Sequence, residues 1–412
     1  AEGARDAGYE VTYEDILALN YQVELEWLPH PHCSNMAVWG GATVDGKTMV
    51  GGHFDFPWGN GYPYMVTIVA YPANGNAFIS HAIAGKLGDN FQMNDKGLVH
   101  MSNKGSNARP EDIGYGVTDF IIGPYIAMTC STAEEARDVL LSVKATNGIN
   151  HLVVDKNGHA YAVEVTAALA KARTPGDFGE KDYLITTNHF VNPEMKPAQV
   201  PWEAKKYYKS SWYRYETLRK NIEDNYGKID ASKVMAIMSS TDYWDGERWH
   251  RDAAFSGYTV NQFSAWGGTL GAKVAIPEEK TVYICMGNPG SAYWGGGTGQ
   301  YVKLQLRDSP GSTVQGLREA AFSDMMSLSR LVIRMNIEKR LSLSSILAIE
   351  ERFDLIREQY WRGVRYLVKA SLTEDKNSAL KLYGEASTEF GKVQAGAKRL
   401  SDLLSRYRSP LR

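Results

Sequence analysis

Three residues of this chain have the types and surroundings that acyl chemistry needs: Cys33, Asp55 and Asn188. Cys33 follows Pro29-His30-Pro31-His32, where two prolines stop any regular element, and opens the strand-like run Ser34-Asn35-Met36-Ala37-Val38-Trp39. A thiol at a strand start is fixed by the sheet while its backbone stays accessible. If the chain cuts its own His32–Cys33 bond, the new α-amino group, with an ordinary pKa of about 7.7–8.0, sits on the same residue as the thiol. That amine is well suited to act as a general base at neutral pH. Nucleophile and base would then share one residue, and no separate catalytic histidine is required. The competing reading is that Cys33 is a small buried apolar residue, the commoner fate of a cysteine.

Asp55 is reached through a Gly-Gly-rich hairpin. A strict two-residue turn at Asp45-Gly46 pairs Val44 with Lys47, sets Asp55 opposite Met36 and leaves its carboxylate on the face away from Cys33. One extra loop residue or a bulge reverses that parity, and we expect the bulge. Asp55 could equally be a strand-end residue that satisfies backbone amides. Asn188 lies in Thr186-Thr187-Asn188-His189-Phe190, after a short apolar strand. An Asn side-chain amide can donate to a developing oxyanion without titrating; its other common role is to form a turn.

The elements that must hold these residues come in runs. Between 33 and about 310, β-branched and aromatic stretches predict strands at 36–39, 48–56, 64–71, 76–83, 151–154, 159–165, 183–187, 256–266 and 280–286. Turn signals such as Asn74-Gly75 and Asn157-Gly158 separate them. Helical patterns occupy 117–129, 132–146, roughly 200–227 and 231–240, and capping pairs Thr12/Asp15 and Thr132/Glu135 mark two helix starts. Strands in runs and helices in runs indicate α+β layers rather than alternating βαβ units. From about 313 to 407, apolar residues recur at three- and four-residue spacing (Leu328, Leu331, Met335; Ile346, Ile349, Phe353, Ile356), which predicts about three helices. The expected organisation is a leader or small subunit at 1–32, a catalytic domain at 33–310 and a helical C-terminal region at 311–412.

Composition narrows the class of function. A chain of 412 residues, 43% hydrophobic and 22% charged, can bury a full core. Its formal net charge of −2 carries no electrostatic footprint for nucleic acid or an anionic membrane, and no run approaches a membrane span. Three cysteines, Cys33, Cys130 and Cys285, leave at least one free thiol. His30, His32 and Cys33 could ligate zinc, but no fourth ligand is adjacent and a metal on Cys33 would block acyl chemistry. The run Gly295–Gly299 lacks the Lys-Ser/Thr of a phosphate loop. Tyr243, Trp244 and Trp249 around Asp245 and Arg248 either line a pocket or belong to the core.

The order of Ala1-Glu2-Gly3-Ala4, Tyr13-Glu14-Asp15-Ile16-Leu17-Ala18-Leu19-Asn20, Cys33 before Ala37-Val38-Trp39-Gly40, Gly52-His53-Phe54-Asp55-Phe56, Met93-Asn94-Asp95-Lys96-Gly97-Leu98 and Thr187-Asn188-His189-Phe190 resembles the acyl-coenzyme A:6-aminopenicillanic acid acyltransferase family of N-terminal nucleophile hydrolases. The resemblance covers about residues 1–290. It implies an αββα sandwich, self-cleavage before the cysteine, and attack on a linear amide or acyl thioester, without a cofactor. It makes Cys33 the nucleophile, Asp55 the carboxylate orienting the amine, Asn188 the oxyanion donor and Asn103 a second polar site residue; His189 adjoins them. Relatives often carry Arg-Asn where this chain has Gly52-His53, so His53 is a partial substitute and Arg251 a candidate for the family's late arginine. His32 stands where the penicillin acyltransferase often has Gly. The long helical tail has no matched counterpart. The expected partner is a small-molecule amide or acyl donor, with 1–32 retained as a subunit in a homo-oligomer. The other class left open is an inactive relative serving as a binding or assembly module.

Overall fold

The computed structural model describes residues 4, 8–22, 32–57, 64–72, 75–104, 108–200, 208–263, 267–290, 301–306, 311–337, 342–373 and 375–405. The chain divides into two compact units, Ala18–Leu306, and Ala1–Leu17 with Arg307–Arg412.

Period-2 alternation builds the larger unit. The first sheet holds six antiparallel strands: β1 (Asn35–Gly40), β2 (Gly46–Pro57), β10 (Tyr183–Thr186), β13 (Gly267–Ile276), β14 (Thr281–Met286) and β15 (Tyr301–Gln305), in the order β10-β1-β2-β13-β14-β15. The second is a seven-stranded meander, β3 (Met65–Ala70), β4 (Phe78–Ile83), β5 (Phe91–Asn94), β6 (Leu98–Lys104), β7 (Ile149–Asp155), β8 (Ala160–Val165) and β9 (Ala170–Arg173). A separate small hairpin pairs β11 (Tyr243–Trp244) with β12 (Trp249–His250).

The faces of the strands sort into layers. Ala37, Val50, Leu184 and Ile284 of the first sheet pack against Ile79, Met93, Met101 and Leu152 of the second. Their neighbours Met36, Val38, Met49 and Val274 face outward onto Leu218, Ile222, Val234 and Ile237 of α4 (Tyr208–Asp224) and α5 (Ala231–Met238). On the far side Leu98, Val153 and Val163 meet Ile122, Ile126, Ala136 and Leu140 of α2 (Asp119–Thr129) and α3 (Ala133–Ser142). The architecture is an αββα sandwich, the expected α+β fold. Capping follows the sequence: the Thr132 hydroxyl accepts from Glu135 N–H at 3.2 Å while Glu135 Oε2 accepts from Ser131 N–H at 2.6 Å. The same reciprocal pair, Thr12 with Asp15, opens α1 (Tyr13–Asn20).

Two expectations are corrected. The strand predicted over 256–266 is absent from the described part of that segment; Ala254–Ser256 form a 3₁₀ turn, and the chain joins the sheet only at Gly267. A Cβ on Gly271 of β13 would stand 2.4 Å from His81 Cε1, so glycine is what allows the sheets to approach there. The hairpin parity is also corrected. A register shift does occur between Val38 and Gly40, but the connection runs from Gly40 to Gly46 and Met36 pairs with Gly51 rather than Asp55. That is a displacement of 55 − 51 = 4 residues, an even number, so the parity of the strict turn is preserved. Asp55 reaches Cys33 by another route, given below.

The smaller unit contains three long helices, α6 (Gly311–Ile337), α7 (Leu343–Leu372) and α8 (Lys376–Ser405). Leu328, Met335, Ile349 and Ile356, the periodic residues of the sequence, lie buried in its own core with Phe390 and Val393. Gly363 admits the Phe390 ring, which a Cβ would meet at 2.7 Å.

Candidate functional site

Cys33 sits just before β1, where the ladder continues past the last strand residue: His53 N–H donates to Ser34 O and Asp55 N–H to His32 O, each at 3.0 Å. On the other flank, the ladder with β10 ends at the pair Asn35 and Thr186, and two residues beyond it on each strand stand Cys33 and Asn188. Cys33 N–H donates to Asn188 Oδ1 at 3.1 Å. The structure therefore gathers Cys33, Asp55 and Asn188 at one end of the first sheet, with Asp55 acting on the preceding peptide and Asn188 on the cysteine nitrogen.

The orientation of the Asn188 amide is set by its partners. Arginine is only a donor, and Arg214 Nη2 reaches the same oxygen at 2.7 Å, while Asn188 Nδ2 donates to Lys104 O at 2.7 Å. Asn188 N–H is given to Ser211 Oγ at 2.7 Å. Asn103 lies in the same network. Its Oδ1 accepts from Asn35 Nδ2 at 2.8 Å and from the Thr186 hydroxyl, and its Nδ2 has no partner among the described residues.

The electrostatics are those of a buried polar pocket. Cys33 is 2% exposed, among Phe54, Phe56, Ile83, Phe120 and Leu270. Burial pushes its thiol up to about 12; the charge of Asp55 adds to that, and the Asp55 N–H opposes it. Burial likewise raises the Asp55 carboxyl to about 7, against the Thr269 hydroxyl, which donates to Oδ1 at 2.6 Å, and the charges of Arg214 and Lys273. Asp55 Oδ2 has no hydrogen-bond partner among the described residues. Asp89 is raised to about 7 by the same cause, and its Oδ2 is also without a partner among them. Lys273, fully buried, donates to Asn90 Oδ1 at 2.8 Å and is pulled down by burial.

The other sequence candidates lie as follows. His53 is turned to the main-chain carbonyl of Met238 in α5, and burial holds its imidazole near about 3, so it brings no positive charge to the thiol. His189 is held by Ser211 Oγ at 2.7 Å and is likewise pushed down to about 3 by burial. Its ring lines a cavity of about 670 Å³ beside Trp212, Tyr213, Phe190 and Asp245. Arg251 forms an exposed ion pair with Asp242 at 2.5 Å and packs on Trp249. The arginine the structure brings to Cys33 is Arg214, on the sheet-facing side of α4. Position 52 could not carry one, because even a Cβ there would stand 2.1 Å from Met101 Cε and 2.4 Å from Asn35 Oδ1. Arg214, Lys273, Asp89 and Thr269 were not among the sequence candidates. The available signal for Arg214 was the spacing Ser210, Arg214, Leu218, one helix face carrying a lone cation amid core residues. His32 Nδ1 lies 3.0 Å from Ser210 Oγ, and His30 is outside the described residues. Glu134, Asp155 and His159 have metal-ligand spacing. Asp155 already accepts from the main-chain N–H groups of Asn157 and Ala133, which makes it a loop-ordering carboxylate.

Solved structures similar to this chain include a conjugated bile acid hydrolase variant from Clostridium perfringens (TM-score 0.45, 11% identity, covering 67% of this chain and 93% of that one). Another is a penicillin V acylase from Agrobacterium tumefaciens (TM-score 0.38, 12% identity, 62% and 83%). An uncharacterized protein of Archaeoglobus fulgidus is 28% identical over 274 residues, 57% of this chain; the chain spans 44% of that relative's length. The family match is the more extensive finding. Residues 61–291 fit the acyl-coenzyme A:6-aminopenicillanic acid acyl-transferase family, a stretch running from before β3 to beyond β14 and taking in all four helices that cover the sandwich. With more than half of its 412 residues matched, over the whole second sheet and the four covering helices though not over β1, β2 or β15, the chain belongs to that family.

Proposed function

We propose that this chain is a self-activating cysteine amidase or acyltransferase that cleaves a linear amide C–N bond, or transfers its acyl group, through a thioester on Cys33. The observation that carries the reading is the peptide preceding Cys33. Its carbonyl accepts from Asp55 N–H at 3.0 Å, its nitrogen donates to Asn188 Oδ1 at 3.1 Å, and its thiol is held by the same strand end. In maturation Cys33 Sγ adds to the His32 carbonyl carbon, the C–N bond breaks, and the thiol proton passes to the departing nitrogen. Water then hydrolyses the thioester, leaving a free thiol and a free α-amine. Asp55 N–H stands where the oxyanion of the first step develops.

In turnover the amine takes the thiol proton as sulfur adds to the substrate carbonyl, then gives it to the leaving nitrogen. Water or an acceptor amine resolves the acyl-enzyme. Asp55 Oδ2 is proposed to orient the amine. The amides of Asn188 and Asn103 are proposed to meet the oxyanion, Asn188 through the Nδ2 that now donates to Lys104 O. Retention of 1–32 as a subunit is supported by contacts that survive the cut: Asn20 Oδ1 accepts from Leu87 N–H at 2.8 Å, and the Tyr21 hydroxyl donates to Gly116 O at 3.0 Å.

The test is intact-mass measurement before and after incubation with a panel of amides. A break before Cys33 and an acyl adduct on Cys33 are expected, and Cys33→Ala should abolish both cleavage and turnover. Retention of either activity by Cys33→Ala would sink the mechanism. An uncut wild-type chain that takes no adduct would mark a binding or assembly module instead.

A further inference from the structure

The mechanism above leaves the buried guanidinium of Arg214 unused. Arg214 is 0% exposed, and a buried charge is costly unless its hydrogen bonds are satisfied. Among the described residues, its bonds gather around Cys33. Nη1 donates to the Cys33 carbonyl and to Ser34 Oγ at 2.8 Å, Nη2 to Asn188 Oδ1 at 2.7 Å, and Nε to Ser210 Oγ at 3.3 Å. Ser210 Oγ in turn donates to Gly257 O and faces His32 Nδ1. The hydroxyl has one proton and spends it on Gly257, so the imidazole must be the donor to Ser210. One guanidinium thus braces the residues on both sides of the His32–Cys33 bond and the amide that receives Cys33 N–H.

We propose that Arg214 is a positioning residue for the Cys33 amine: it locks Asn188 with its oxygen toward that nitrogen and, one acceptor atom away, keeps the α-amine freed by cleavage in its neutral, proton-accepting form. This rests on the self-cleaving reading above. A nearby cation disfavours an ammonium, and so does burial. The other charges facing Cys33 are Asp55 from β2, Asp89 from the β4–β5 connection and Lys273 from β13. Lys273 acts in the same sense as Arg214. Asp55 and Asp89 act in the opposite sense, but burial raises both to about 7, so their opposing charge falls away as the pH drops through that value. A lysine could supply the charge but not the planar fork that holds Asn188 and Ser34 together.

The experiment has two parts. In mature wild-type protein with its thiol reversibly blocked, the pH dependence of α-amine acylation at Cys33 is followed by mass spectrometry. In unblocked protein, kcat/KM is measured against pH for wild type, Arg214→Met and Arg214→Lys. The wild-type amine is expected to titrate below the ordinary value of about 7.7–8.0. Arg214→Met should move the acid limb of kcat/KM upward by about one pH unit, whereas Arg214→Lys should keep the limb and lower kcat. A wild-type amine titrating at or above the ordinary value overturns the proposal, even if Arg214→Met does not fold. So does a folded, mature Arg214→Met with an unmoved limb; in both cases the self-cleaving reading stands. A wild-type chain that never cleaves removes both.

Discussion

At Asp55, the proposed function and stability pull in opposite directions, and the pH dependence of folding reads the conflict. Its carboxyl lies at about 7 in the folded chain against an ordinary 3.8, so between those values the native state binds more protons than the unfolded one. Unfolding free energy then falls as pH rises through that window. Below about pH 4 both states are protonated and the penalty vanishes. Asp55→Asn keeps an oxygen for Thr269 and removes the buried charge, so it should be more stable than wild type at pH 8, by up to a few kcal/mol. The difference should disappear near pH 4, and turnover should be lost throughout. Denaturant midpoints at the two pH values check this, and equal midpoints at pH 8 would count against a charged Asp55. Asn188 makes the companion case: Asn188→Ala should lower kcat by about 10²–10³ with little change in KM. A raised KM with kcat intact would make it a binding residue. Cys33, Asp55 and Asn188 could be picked out as candidates because each lies two residues from the end of a strand whose pattern is visible in the sequence. Arg214 and Lys273 were not, because a cation inside a helix or strand reads as solvent-facing until the fold buries it.

The strand and turn elements show where sequence patterns carry structure rather than chemistry. Met93-Asn94-Asp95-Lys96-Gly97-Leu98, part of the family resemblance, is the β5–β6 hairpin. Asn94 Oδ1 accepts from Lys96 N–H at 3.1 Å and Leu98 N–H at 3.0 Å. Its Nδ2 donates to Ala127 O and Cys130 O at 2.9 and 2.8 Å, which satisfies carbonyls at the C-terminal end of α2. One buried side chain ties a turn to the helix above it. Asn94→Ala removes these bonds; Cys130 O keeps its bond from Asn76 Nδ2 at 2.8 Å and the exposed Lys96 can turn its N–H to water, but Leu98 N–H and Ala127 O lose theirs, which should destabilise the sandwich by about 2–4 kcal/mol, with kcat per folded molecule unchanged. An unchanged urea midpoint, or a lost kcat in protein that remains folded, would refute that assignment. The outer helices and most hairpin-bounded strands were legible for the same local reasons, caps and alternation. β13 was missed in part because its Gly271 makes room for His81 across the sandwich, a long-range demand that no local pattern records.

For the whole molecule, the two units each close a hydrophobic core of their own. Leu152, Met101 and Ile284 lie between the sheets, while Phe390, Val393 and Leu328 lie within the three-helix unit. The helical periodicity of 313–407 foretold the second core because each helix buries one stripe, as local a signal as a sequence offers. Separate cores define separate cooperative units, so calorimetry of the full chain should resolve two unfolding transitions rather than one. Substitutions assign them. Phe390→Ala removes a ring that Gly363 admits at close range and that meets Tyr360 at 5.9 Å between centroids. It should destabilise one transition by about 3–5 kcal/mol and leave the other in place. Leu152→Ala, in the inter-sheet core, should do the reverse at about 2–5 kcal/mol. If either substitution moves both transitions together, the two cores unfold as one unit; if the proposed amide-cleaving activity is lost with the Phe390-sensitive transition, the helical unit is required for the site to work.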